Sequence, residues 1–186
     1  MPPAPRPDPA RPDPESPAAA LTLEPVSYDD PAVQALTADV QAYYRSIYGG
    51  TDDSPMAAAE FAPPTGLFLL GRWTGEPVAM GGWRLEDGID ALGGARVAEL
   101  RRMFTVPAVR RLGVGRRLLR ALEQTAADAG ADVLVLSTGA PQRDALDFYR
   151  SCGYVDVPAF GFYRAMPDVA CLGKRLPAPA PAQPVP

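Results

Sequence analysis

The sequence predicts a single α/β domain built on a mixed sheet with helices on both of its faces. Two strand patterns joined by a short turn come early in the chain, which is typical of antiparallel pairing. A strand–helix–strand unit follows in the middle of the chain and favours a parallel pair. Of the 186 residues, 47% are hydrophobic, which is enough for one packed core.

Proline marks the borders of this domain. Of the 23 prolines, eight lie in residues 1–17 and five in residues 177–186. Proline at this density cannot continue helices or fill central strands. We therefore predict a disordered Pro-rich tail over residues 1–19, the folded domain over 20–176 and a disordered Pro/Ala-rich tail over 177–186. A docking motif for an aromatic-lined groove is the alternative for the tails.

The first part of the domain predicts a strand, a helix and a loop. Residues 21–28 alternate between apolar and polar side chains as a strand does. A helix then begins at Pro31, after a capping aspartate at position 29 or 30, and ends at the glycine pair that starts with Gly49. Residues 51–65 fit a short helix and a mobile loop.

The rest of the domain predicts a hairpin, a long third strand and the strand–helix–strand unit. Residues 66–72 and 77–84 form the hairpin around a Thr-Gly-Glu turn signal. Residues 93–105 predict a longer strand that alternates through its second half. The remaining elements are a helix over 113–129, a buried strand over 131–136, a helix over 142–151, and strands over 154–157 and 169–176.

Composition excludes several kinds of site. The chain has no histidine, so no imidazole can act as a general base or metal ligand, and we expect no metal. Its net charge of −4 argues against a nucleic-acid partner. Cys152 and Cys171 are too few for a disulfide framework or a four-cysteine zinc site. No signal peptide or membrane-spanning run is visible, so we expect a cytoplasmic protein with no membrane partner.

An island of positive charge interrupts this acidic chain. Residues 110–116 follow a strand and open a helix, and Gly113 and Gly115 let a ligand approach the backbone closely. The first N–H groups of a helix lack internal partners, and the helix dipole adds about half a positive charge there. The pattern predicts an anion site in which arginine forks take phosphate oxygens in pairs. The seven arginines of residues 101–120 are Arg101, Arg102, Arg110, Arg111, Arg116, Arg117 and Arg120.

Other interpretations of the island stay open at this point. A Rossmann fingerprint needs a third glycine where Leu118 stands, and a Walker loop needs a Gly-Lys-Ser/Thr run that the chain lacks. A solvated arginine-rich helix face is the common alternative. Nucleic-acid binding would predict strong, salt-steep binding to DNA, and the acidic net charge ranks it last.

Two stretches of the chain resemble motifs of the GNAT superfamily of N-acetyltransferases. Residues 98–105, Pro107 and residues 110–115 (RRLGVG) resemble motif A, which is written Gln/Arg-x-x-Gly-x-Gly/Ala. Residues 142–149 (QRDALDFY), followed by Gly-Tyr, resemble motif B, Asn-x-x-Ala-x-x-x-Tyr and then Gly-Phe/Tyr. The two occur in the family's order with a strand between them, and the likeness is closest to bacterial members.

The resemblance implies a GNAT-like fold and acetyl-CoA as co-substrate. Such a sheet has six or seven mostly antiparallel strands, is splayed between the fourth and fifth, and is flanked by about four helices. The pantetheine arm would bond the main chain of Met103, Phe104 and Thr105, whose apolar side chains we assign to the core. The pyrophosphate would lie on the turn formed by Arg110, Arg111, Leu112, Gly113, Val114, Gly115 and Arg116.

The resemblance also assigns chemistry to three side chains. Tyr149 would donate a proton or a hydrogen bond to the leaving CoA thiolate. Gln142, where the family often has Asn, would bond the pantetheine. Glu99 would accept the proton of an ammonium substrate, directly or through water, and the alternative for Glu99 is an ion pair with Arg101. Ser137 stands where other members carry a carboxylate.

The function that the resemblance implies is acetyl transfer to a primary amine of a small molecule or peptide, by direct attack in a ternary complex. The alternative is a non-catalytic acyl-CoA-binding regulatory module. Related proteins often form homodimers, so a homodimer is one arrangement that the resemblance implies. The candidate acceptor residues are Tyr43, Tyr44, Tyr48, Asp52, Asp53, Glu60 and Tyr163.

Overall fold

The computed structural model describes residues 21–177. The predicted tails, residues 1–19 and 177–186, lie outside the described residues, apart from Pro177. Two 3-10 turns, Ala58–Phe61 and Pro107–Val109, accompany the helices and strands. The order is β1 (Leu21–Pro25), α1 (Pro31–Tyr48), β2 (Gly66–Trp73), β3 (Glu76–Leu85), β4 (Val97–Thr105), α2 (Val114–Asp128), β5 (Val133–Gly139), α3 (Arg143–Ser151), β6 (Val155–Asp156) and β7 (Val169–Arg175).

The strands form one seven-stranded sheet in the order β1-β2-β3-β4-β5-β7-β6. Every neighbouring pair is antiparallel except β4 and β5, which are parallel. The mixed, mostly antiparallel sheet is therefore confirmed, with three α-helices and two 3-10 turns in place of about four helices. The long strand begins later than predicted, at Val97, because Gly93 adopts a left-handed turn and the N–H groups of Ala95 and Arg96 bond the Asp132 carboxylate.

The sheet opens between β4 and β5, as the resemblance implied. Their pairing runs from Val97 opposite Val133 only to Glu99 opposite Val135, although β4 continues to Thr105. The far half of β4 therefore has a main-chain edge that β5 leaves free, within residues 21–177.

A β-bulge in β4 falls inside this open half. Met80 of β3 pairs with Phe104 and Gly82 pairs with Arg101, so two residues of β4 stand opposite one of β3. Arg102, one of the two, has a left-handed φ of 54°. A bulge bends its strand and redirects side chains, and here the adjacent Arg101 and Arg102 both line the same cavity.

Apolar clusters cover the two faces of the sheet. Ala79 and Met80 are neighbours on β3 but belong to different clusters, because successive side chains of a strand point to opposite faces. Burial of one leucine contributes roughly 1.5–3 kcal/mol, so Leu118→Ala is expected to cost about 2–5 kcal/mol. The helix residues that fill the clusters are Leu118, Leu119 and Leu122 of α2, and Val33, Leu36 and Val40 of α1.

The ends of α1 follow the capping signals in the sequence. Asp30 Oδ1 accepts the N–H of Ala32 at 2.8 Å, and Pro31 occupies the first helical position. Gly49 then ends the helix with a left-handed φ of 72°, and its N–H donates to the Arg45 carbonyl. No helix among residues 21–177 is long and apolar enough to cross a membrane.

Candidate active site

The turn before α2 is shaped to expose main-chain N–H groups. Gly113 is the N-cap of α2 and has a left-handed φ of 81°, which glycine adopts without steric cost. Arg111, two residues earlier, also has a positive φ of 65°, which is uncommon for a residue with a side chain. Left-handed residues in such a turn make N–H groups converge into an anion-binding concavity. We call residues 110–116 the anion turn.

The first N–H groups of α2 are free to bind a ligand. The N–H of Arg117 is the first that bonds within the helix, to the Gly113 carbonyl at 3.0 Å. Those of Gly113, Val114, Gly115 and Arg116 have no acceptor among residues 21–177. Four unpaired donors at the positive end of a helix dipole form an anion site.

A groove of about 830 Å³ runs from the anion turn to α3, and we call it the coenzyme groove. The arginines of this groove differ in whether their side chains already contact other residues of the protein. Arg110 donates to the Thr105 carbonyl at 3.3 Å and lies over the Tyr43 ring, and Arg116 donates to Ser151. Arg111 is exposed, with no ion pair to a residue in the described part of the chain.

Most of the residues predicted to bind the coenzyme line this groove. Leu112 and Val114 do not, because both pack with the core cluster beneath α2. The Phe104 side chain is buried in the α1 cluster, as expected for core, and Met103 packs against the α2 cluster. The predicted residues that line the groove are Met103, Phe104, Thr105, Arg110, Arg111, Gly113, Gly115, Arg116, Gln142 and Tyr149.

Five of the seven arginines of the island line two different cavities, a division that the sequence did not predict. Arg101 and Arg102 do not line the coenzyme groove; they line a second cavity of about 590 Å³, which we call the acceptor cavity. The reason is the bulge in β4, after which the strand passes from one cavity to the other. Residues 100–102 line the acceptor cavity and residues 103–105 line the coenzyme groove.

The acceptor cavity is assembled from five separate segments. They are the C-terminal end of α1 with the loop to Asp53, residues 99–102 of β4, the end of β5, Gln142 before α3, and the loop before β7. Tyr44 and Gln142 line both this cavity and the coenzyme groove, so the two spaces meet there. Gly139 at the end of β5 has no side chain, and a Cβ at that position would collide with the Tyr48 ring. Tyr48 is thereby held in reach of Gln142, whose Nε2 donates to its hydroxyl at 2.7 Å.

Glu99 is buried in the wall of the acceptor cavity and is paired on both of its oxygens. Oε2 lies 3.0 Å from Arg84 Nη2, and Oε1 lies 3.3 Å from Arg101 Nη1. The ion pair with Arg101 that the sequence left open is therefore formed, and Arg84 adds a second one.

Asp52 connects three segments of the acceptor cavity. Its carboxylate accepts the hydroxyl of Tyr163 and the N–H of Ser54, and it lies 3.0 Å from Arg102 Nη1. Burial opposes ionisation of Asp52, but these hydrogen bonds and the charge of Arg102 outweigh it and hold the pKa of the carboxyl below its ordinary value. Burial, together with the bond to Asp52, raises the pKa of Tyr163.

Two tyrosines line the coenzyme groove, and one of them, Tyr44, also lines the acceptor cavity. Tyr149 lines the coenzyme groove, and its ring packs edge-on against Phe148 at 5.3 Å and Tyr154 at 5.6 Å. Burial, with a smaller contribution from Tyr44, raises the pKa of Tyr149 above its ordinary value. Burial and the nearby Asp52 raise the pKa of Tyr44 to about 12. Both phenols keep their protons at neutral pH and can donate hydrogen bonds.

Of the acceptor candidates, two lie elsewhere. Tyr43 lines the coenzyme groove, and Glu60 pairs with Arg84 at 2.8 Å outside both cavities. Phe162 and Asp168 also line the acceptor cavity, and of the loop before β7 the sequence analysis named only Tyr163 as a candidate. The other five candidates, Tyr44, Tyr48, Asp52, Asp53 and Tyr163, line the acceptor cavity. Among residues 21–177 no three or more Cys, Asp or Glu side chains are grouped so that they could hold a metal ion.

The chain is similar to known acyltransferases along most of its domain. The profile of the acetyltransferase (GNAT) family matches residues 33–154. An IAA acetyltransferase from Azospirillum brasilense is 33% identical over 132 residues, which cover 71% of this chain and 82% of that protein.

Solved structures share the fold. A Klebsiella pneumoniae protein named as an acyl-CoA N-acyltransferase superimposes with a TM-score of 0.69 at 27% identity, over 84% of this chain and 97% of that chain. Naa50 of Arabidopsis thaliana, solved in complex with the bisubstrate analogue CoA-Ac-MVNAL, superimposes with a TM-score of 0.55 at 15% identity, over 84% of this chain and 99% of that chain. The second likeness concerns the fold alone.

Proposed function

Because the chain belongs to the acetyltransferase (GNAT) family and is an acyltransferase, we propose that it transfers an acetyl group from acetyl-CoA to a primary amine by direct attack in a ternary complex. The observation that carries this proposal is the meeting of two cavities at Tyr44 and Gln142. One cavity has the donors that a diphosphate needs. The other is large enough for a small acceptor and is lined by the adjoining residues of β4.

The anion turn fits the diphosphate of the coenzyme. Four unpaired N–H groups and the exposed Arg111 supply donors for phosphate oxygens. The free edge of β4 at residues 103–105 supplies main-chain groups that a pantetheine amide can pair with, as a strand would. In this proposal Gln142 adds a side-chain amide at the junction. The bound coenzyme supplies the activated acyl group, as a thioester.

The chemical step needs positioning and proton handling. The neutral amine attacks the thioester carbonyl; a C–N bond forms, the C–S bond breaks and the thiolate departs. Tyr149 is proposed to donate a hydrogen bond to that sulfur. Because its pKa is raised, we assign it stabilisation of the thiolate by a hydrogen bond rather than complete proton transfer. Glu99 or an ordered water is proposed to accept the amine proton.

A thiol-release assay with acetyl-CoA across a diverse amine panel tests the proposal. We expect release that depends on an acceptor and an N-acetylated product of matching mass. Thermal stabilisation by acetyl-CoA without thiol release for any amine would support a non-catalytic acyl-CoA-binding module instead.

A further inference from the structure

Arg102 carries buried hydrogen-bond donors that the protein does not satisfy. Its side chain is only 4% exposed. Nη2 donates to the Asp52 carbonyl at 3.2 Å and Nη1 lies 3.0 Å from Asp52 Oδ2, but Nε and Nη1 have no acceptor in hydrogen-bond geometry among residues 21–177. A buried guanidinium with free donors is costly, so unpaired donors in a cavity wall indicate a missing partner.

The position of Arg102 says where that partner would lie. Arg102 is the bulged residue, the last of β4 to line the acceptor cavity before the strand enters the coenzyme groove at Met103. Tyr44 lines both spaces. The charges of Asp52 and Arg102 affect the pKa of its phenol, and Tyr44 in turn contributes to the raised pKa of Tyr149. Arg102 therefore stands at the border where the acyl group and the acceptor are proposed to meet.

We propose that the acceptor is a free α-amino acid whose carboxylate binds Arg102 and whose α-amine is acetylated. This inference rests on the proposed function. A carboxylate is the planar partner that matches a guanidinium fork. One carbon separates the α-amine from the carboxylate, so a carboxylate held at the border also holds the amine there. An amine at the end of a long side chain would lie further away.

The rim of the cavity favours an apolar side chain on this amino acid. Tyr48, Phe162 and Met166 line the cavity and are 42%, 55% and 49% exposed. Large apolar groups that are half exposed around a cavity gain from covering by an apolar ligand. Phenylalanine is therefore the probe that we choose.

The experiment compares phenylalanine with phenylalaninamide and phenethylamine, which share its ring and amine but lack the carboxylate. We expect kcat/KM for phenylalanine to exceed that for either analogue at least tenfold. Because the amide has the less basic amine, amine basicity alone would favour the amide, so this order reports the carboxylate. Equal rates for acid and amide, or faster transfer to the amide, would overturn the inference.

Variants at Arg102 locate the carboxylate contact. We expect Arg102→Gln to bring the ratio of kcat/KM between phenylalanine and its amide close to one, chiefly by raising KM for phenylalanine, and Arg102→Lys to keep an intermediate ratio. Arg120→Gln is the matched control, since Arg120 is exposed and lines neither cavity. An unchanged ratio in a folded Arg102→Gln protein overturns the inference. Transfer to the two analogues but not to phenylalanine overturns it while the proposed function stands, whereas no transfer to any amine overturns both.

Discussion

The coenzyme groove and the acceptor cavity are neighbours, but they are built by different means. The groove presents main-chain donors and exposed arginines that come from one continuous turn, residues 110–116. In the acceptor cavity Glu99 pairs with Arg101 and Asp52 pairs with Arg102, and the lining comes from segments as far apart as Asp52 and Tyr163. The groove therefore suits a highly charged ligand. The acceptor cavity instead selects a ligand by its shape and by one small polar group.

The difference teaches where substitutions act. In the coenzyme groove, the backbone conformation at Gly113 controls whether the N–H donors converge. A substitution there is therefore expected to abolish coenzyme binding while the fold survives. In the acceptor cavity, each charged side chain holds a neighbouring segment, so a substitution changes stability and turnover together.

The largest effect is expected at the anion turn. Gly113→Val forces a β-branched residue into a left-handed conformation and sets a side chain in front of the free N–H groups. We expect calorimetry to show that CoA affinity falls at least about 100-fold, or about 2.7 kcal/mol.

Gly88→Val is the control for Gly113→Val. Gly88 also has a left-handed conformation, with φ of 79° and open space around it, but it lines neither cavity. Both variants carry the same backbone strain, so only Gly113→Val should lose the coenzyme. Normal CoA affinity in Gly113→Val would remove the anion turn from coenzyme binding.

The next effect is expected at the α3 side of the coenzyme groove, where Tyr149 lies. Tyr149→Phe removes the phenol proposed to stabilise the thiolate, so kcat should fall about 10–100-fold while CoA affinity stays within about twofold. Steady-state kinetics and calorimetry measure the two quantities. Tyr154→Phe is the control, because its ring contacts Tyr149 at 5.6 Å but lines neither cavity. An unchanged kcat would exclude Tyr149 from the mechanism.

A smaller effect is expected within the acceptor cavity. Glu99→Gln should lower kcat/KM about tenfold near neutral pH, and the loss should shrink at higher pH, where the amine loses its own proton to solvent. The pH profile of kcat/KM tests this. Glu86→Gln is the control, because Glu86 pairs with the same Arg84, at 3.2 Å, and lines neither cavity. A loss of kcat/KM that is the same at every pH would mean that Glu99 acts only through its ion pairs and does not accept the amine proton.

The smallest effect is expected in stability. Asp52→Asn should lower the free energy of unfolding by about 1–2 kcal/mol at pH 7, since hydrogen bonds to a charged group weaken. The folded-state pKa of Asp52 lies below its ordinary value of 3.8, so its contribution is fully present above 3.8 and is lost as the pH falls from there through the lower folded-state pKa. The difference between the two proteins should therefore shrink in unfolding curves recorded from pH 7 to pH 3. The exposed Asp53→Asn is the control; a difference that stays constant with pH would mean that the charge of Asp52 does not stabilise the fold.

Much of the coenzyme side was predictable because its signals are local. The glycine at position 113, the strand before it and the helix after it are contiguous, so the turn and its free N–H groups follow from the chain alone. The ends of α1 at Pro31 and Gly49 were predictable for the same reason. The late start of β4 was missed because Asp132 holds the N–H groups of Ala95 and Arg96 from 36 or more residues away.

The sequence by itself determined the elements, their order and the anion turn, since hydrophobic periodicity, capping residues and a Gly-x-Gly after a strand act over a few residues. Only the tertiary structure decided that Arg101 and Arg102 leave the anion site, that Glu99 meets Arg84, and that Tyr163 reaches Asp52. Those outcomes depend on a bulge in the register between β3 and β4 and on side chains that approach from distant segments. Pairing across a sheet is set by the sum of many contacts, and no local pattern in the chain encodes it.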